Sequence, residues 1–180
     1  MKFLSFDDHK DLLNKCLYEE NKLRCSQGKH PEYQYLIFNI VISLNHLFEW
    51  FMKNNQVIDE NKKNCIKNFN PYKSSDDVNK DFMKFYDELD EFPPINEYQL
   101  LIRKLCNKAK HFNIRPIEER KKQDITCAGE SSMNCGEISA VCGNFVYSYF
   151  VHNDNGDDIC IKSLISEQIV KWKIFLECNV

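Results

Sequence analysis

Arg103, Asn107 and His111 are spaced i, i+4 and i+8 in the stretch "LIRKLCNKAKH". On a helix turning roughly 100° per residue they stack along one side. Tyr98, Leu101, Ile102, Leu105, Ala109 and Phe112 fall on the other side, so the three polar residues form a ridge away from the apolar stripe. A histidine exchanges protons near neutral pH. An arginine holds a phosphate in two-point contact, and an asparagine amide can orient either group. Such a ridge could work on a phosphodiester, with Lys104, Lys108, Lys110 and Arg115 as cations for an RNA backbone. The competing reading is structural: a polar stripe that faces solvent or pairs with a neighbouring helix.

A second polar set lies in "LNHLFEWF", where His46, Glu49 and Trp50 are one helical turn apart. A carboxylate on a mostly buried helix needs a partner. Arg103 or His111 could supply it, or Glu49 could satisfy its own neighbour at the rim of the core. Cys106 and His111 are about 140° apart around a helix, which rules out direct pairing as nucleophile and base. Cys106 reads instead as a packing residue, and the other cysteines as core or strand filler.

These residues belong to a chain of 180 residues, for which one domain is expected. The formal net charge of −3 carries no nucleic-acid signal by itself. Its distribution is uneven, with eight acidic and two basic residues over 76–97, then eight basic and two acidic residues over 103–122. The basic segment suits phosphate; both segments also suit plain solvation or mutual pairing. Nine cysteines occur with no CxxC, so neither a zinc spacing nor a disulfide framework is expected, and no metal or cofactor is called for. The opening "MKFLSFDDHK" has no apolar run long enough for a signal peptide. Reduced thiols in a cytoplasmic compartment are the economical expectation. The longest apolar run, "YLIFNIVISLNHLFEWF", is interrupted by Asn39, Asn45, His46 and Glu49 and reads as a core helix, not a membrane span.

Periodicity places helices over residues 7–25 and 32–53, a short one near 60–69, another over 78–89, and the ridge helix over 96–112. The loop "NPYKSS" lies in a polar stretch, 54–79, with the weakest definition. Beyond Pro116 the texture changes. "NFVYSYFV" reads as a strand, Asn155-Gly156 as a hairpin turn and "DICIK" as the return strand, with "DITCA" as a third strand. Ser163 is placed to cap a last helix carrying Ile165, Ile169, Trp172 and Leu176. The expected fold is therefore mainly α: a bundle of four to five helices over 1–115, then a C-terminal β-hairpin or small antiparallel sheet and a final helix over 116–180.

The string "CNKAKH" resembles the signature of HEPN domains, small helical bundles found among prokaryotic toxins, defence systems and RNA-processing factors. In that signature an arginine and an adjacent polar residue precede a histidine a few positions on. Asn107 matches the polar residue and His111 the histidine, while Cys106 stands at the arginine position. The resemblance covers residues 1–115 and implies metal-independent RNA cleavage at a site between two protomers of a homodimer, and a protein antidote as partner. A cysteine cannot hold phosphate as a guanidinium does. Either the chain is then an inactive or very weak relative, or Arg103 has taken over from one turn away; an arginine introduced at 106 is expected to raise cleavage. The alternative class is a non-enzymatic interaction or dimerisation module built on the same bundle.

Overall fold

The computed structural model describes residues 7–25, 31–110, 117–123, 145–152 and 156–179. Its elements in chain order are α1 (His9–Cys25), α2 (Glu32–Lys53), α3 (Asp59–Phe69), α4 (Met83–Asp87), α5 (Glu97–Lys110), β1 (Ile117–Gln123), β2 (Phe145–His152), β3 (Asp158–Cys160) and α6 (Ile161–Asn179). The chain is mainly helical with a small antiparallel sheet and a final helix, as its periodicity implies.

Helix α2 is the axis of the bundle. It packs against α1, α3, α5 and α6. Leu36, Ile37, Ile40, Val41, Leu44, Leu47, Phe48 and Phe51 are all buried, forming a dense apolar stripe about 140° wide on the helix wheel. By length and composition α2 could cross a bilayer, but most of its apolar surface lies inside the bundle. Helix α6 closes the core from the other side. Trp172 stacks flat on Phe69 at 4.0 Å between ring centroids, and Phe175 meets Phe51 edge-on at 5.4 Å. Ile165, Ile169, Trp172 and Leu176 are all buried.

The start of α6 differs from expectation. The helix begins at Ile161, and Ser163 is an exposed residue inside its first turn, not its cap. Ile161, Leu164, Ile165 and Gln168 are buried at i, i+3, i+4 and i+7, so the helical period takes over directly after Cys160 and cuts the return strand to three residues. The hairpin itself is present: Phe150 pairs with Cys160, Val151 with Ile159 and His152 with Asp158. Gly156 holds φ at +87°, a conformation that a side chain would strain. The third strand is β1, which pairs antiparallel with β2 from Ile117↔Val151 to Gln123↔Phe145. Its sequence "IEERKKQ" hides it, because charge replaces apolar alternation. The segment "DITCA" lies outside the described residues.

The stretch 78–89 is also less regular than a single helix. Phe82, Phe85 and Tyr86, three of the four residues its spacing places on one face, are buried and Leu89 is partly buried, but only Met83–Asp87 is helical, and a 3₁₀ turn covers Ser75–Asp77. Tight turns explain it: Phe82 N–H donates to the Asn79 carbonyl, Phe85 N–H to Phe82 and Leu89 N–H to Tyr86.

Candidate functional site

Helix α5 is started by Asn96, whose Oδ1 accepts the Gln99 N–H at 2.9 Å. Asn96 is in turn tied to the end of α3, its own N–H donating to the Asn70 carbonyl and its Nδ2 to the Asn68 carbonyl. Asn70 is fully buried and uses its whole amide. Nδ2 donates to the carbonyls of Tyr72 and Pro93, and Oδ1 accepts from the Tyr72 N–H and the Tyr86 hydroxyl. This clasp fixes Tyr72 beside α5. Nothing in the pattern of "NPYKSS" announces it, although an aromatic directly after Asn-Pro in a polar stretch was the available cue.

Tyr72 is the missing member of the site. The Arg103 guanidinium carbon lies 4.2 Å from its ring centroid, a cation–π stack on a side chain only 4% exposed. Burial pushes the Tyr72 hydroxyl above its ordinary range. Arg103 pulls it back, a backbone hydrogen bond with Asn79 does the same, and Glu49 adds to the rise. On α2, His46 Nδ1 lies 3.2 Å from Glu49 Oε2, both side chains about one-third exposed. Its neighbour His46 is therefore one partner of Glu49. Two contacts therefore stand: Arg103 on Tyr72 beside α5, and His46 with Glu49 on the partly exposed side of α2.

The other predicted residues sort by position. Asn107 and Lys108 are exposed, and Lys104 is half-buried. Lys110 ends α5, and its side chain lies outside the described residues, as do His111 and Arg115 entirely. Cys106 is fully buried on the stripe with Leu101, Ile102 and Leu105. An arginine there would enter the core instead of a groove, so the expected gain of cleavage from Cys106→Arg does not follow from this helix register. Two cysteines also depart from the packing role: Cys25 and Cys178 are exposed at the ends of α1 and α6. The six described cysteines are all free thiols.

Chemically, α5 offers a guanidinium held flat by an aromatic ring, with no carboxylate paired to it among the described residues, and α2 carries a partly exposed imidazole–carboxylate pair. That is a set for holding a phosphate and exchanging a proton beside it. Among the described residues no three metal-ligating side chains gather. No family model, no curated protein and no solved structure matches the chain.

Proposed function

We propose that the α2–α5 seam is the RNA-contacting surface of a HEPN-like protein of RNA-associated or defence-related type, acting in the cytoplasm and holding RNA with weak or no cleavage. The observation that supports this reading is Arg103, stacked on Tyr72 with its hydrogen-bonding edge unclaimed by a described carboxylate and one turn from exposed Asn107, on a helix that also carries Lys104 and Lys108. Any residual cleavage is metal-independent and runs through His111, with Asn107 and Arg103 as its neighbours and His46–Glu49 in support.

The test is single-stranded RNA binding across a salt series. Wild-type protein binds, and affinity falls steeply with salt because cations on the 103–122 segment displace counterions. Arg103→Ala weakens binding and flattens the salt slope by about one. His111→Ala keeps most binding and removes any residual cleavage, since a proton-transfer group contributes roughly 10²–10⁴-fold to rate and little to affinity. Salt-independent or absent binding by the wild type sinks the proposal.

A second reading is favoured by α2 itself. Tyr35, Phe38 and Trp50 are 64%, 48% and 38% exposed. They lie, with Ile42, His46 and Glu49, along one outward face of the helix. A protein-interaction module, docking a second copy or an antidote protein there, uses that face without any RNA chemistry.

A further inference from the structure

Lys62 occupies a position where an apolar residue is expected. Positions 62, 65, 66 and 69 of α3 are its inward stripe. Three hold Cys65, Ile66 and Phe69, and the fourth holds Lys62, only 6% exposed. Its Nζ lies 5.2 Å from the Phe85 ring centroid. The Lys84 Nζ approaches the same ring at 4.4 Å. Two ammonium groups therefore converge on one buried phenyl ring. Among the described residues no carboxylate forms an ion pair with Lys62; the neighbouring Lys63 takes Glu88 at 2.7 Å instead. Asp59, one turn back on α3, attracts Lys62 from farther away. Burial, with Lys84 adding to it and Asp59 opposing, holds the amine below its ordinary range. A lysine desolvated beside a second cation is the arrangement that turns an ammonium into a nucleophile.

We propose that Lys62 is a nucleophilic amine that forms an imine with a small aldehyde or ketone carrying an anionic group, with Lys84 as the counter-cation for that anion. The nitrogen lone pair attacks the carbonyl carbon and a C–N bond forms. The carbonyl oxygen gains a proton as the nitrogen loses one, giving a carbinolamine, and loss of one water leaves the imine. No oxidant or reductant is needed. The site lies at the α3–α4 junction and stands independently of the RNA reading.

Pyridoxal 5′-phosphate, an aldehyde with a phosphate, is a direct probe. The full chain is incubated with it, reduced with borohydride, and each lysine is quantified by peptide mass spectrometry. Lys62 should be modified about tenfold faster than exposed lysines such as Lys67 and Lys173. Lys84→Gln should slow labelling at Lys62 severalfold and leave Lys67 and Lys173 unchanged. Pyridoxal without the phosphate should still favour Lys62, but by less. Labelling of Lys62 at or below the rate of Lys67 and Lys173 overturns the proposal. So does a Lys84→Gln protein that circular dichroism shows folded and that labels at Lys62 as the wild type does.

Discussion

His9 illustrates how far single atoms can be followed. Asn54 Oδ1 accepts the Gln56 N–H at 2.8 Å, so the Asn54 atom facing His9 Nδ1 at 3.3 Å is its amide nitrogen. That nitrogen donates, which makes Nδ1 an acceptor and places the ring proton on Nε2. Nε2 is buried without a hydrogen-bond acceptor, on a ring set edge-on to Phe51 at 4.9 Å between centroids. A second proton is unwelcome there. Burial lowers the His9 pKa from 6.5, with Asp8 opposing and Lys10 assisting. The sign follows: above about pH 6.5 the ring is neutral in both folded and unfolded chains, and nothing is lost. Below that, the unfolded chain takes up a proton that the folded chain refuses. Stability then falls by at most about 1.4 kcal/mol per pH unit until the folded state protonates too. Urea titrations at pH 7 and pH 5 check this: wild type should lose more stability over the interval than His9→Phe. Equal losses would show that His9 is not the group responsible. None of this could be read from "DDHK", because the partner Asn54 is 45 positions away.

Among the elements, legibility follows period. Helix α2 has the bounds its apolar run implies, and α6 buries the four residues that its spacing singled out. Helix α5 was legible as a helix but only partly as a surface. Gln99, read as neither stripe nor ridge, is 1% exposed and accepts from Gln168 Nε2 at 2.7 Å across to α6. A buried polar pair between helices leaves no mark in either helix's periodicity, since each partner looks like an ordinary surface glutamine. Its energetics are testable. The remaining amide atoms, Gln99 Nε2 and Gln168 Oε1, have no hydrogen-bond partner. Gln99→Leu or Gln168→Leu alone strands the other amide in the core and should cost about 1–3 kcal/mol. The double leucine variant removes both amides and should cost less than either single change. Denaturant midpoints of the four proteins give the coupling, and simple additivity would show that the pair is not an energetic unit. The clasp on Asn70 escaped for a similar reason: its four hydrogen bonds join the end of α3 to Tyr72, Tyr86 and Pro93.

At the scale of the whole molecule, the ridge helix was visible but half of its site was not. Arg103 and the His46–Glu49 pair were legible as polar positions on two helices, whereas Tyr72, on which Arg103 stacks, comes from the segment with least pattern. Association of two copies is expected through the outward face of α2. Light scattering at micromolar protein should give the mass of a dimer, and Phe38→Glu should return the monomer, because it puts a charge in the middle of the Tyr35–Trp50 stripe. A wild-type monomer at that concentration refutes association through this face. One contact has a different kind of consequence. Ser166 of α6 donates at 2.6 Å to Glu20 of α1, 146 residues earlier, and Glu20 also receives Arg24. Trp172 from the same helix covers Phe69. On the ribosome, α1 through α5 therefore emerge with Phe51 and Phe69 lacking their cover, and the core is completed only when α6 is released. Until α6 emerges those rings stay uncovered, so expression yield should depend on chaperone supply more steeply than the stability of the finished fold would suggest.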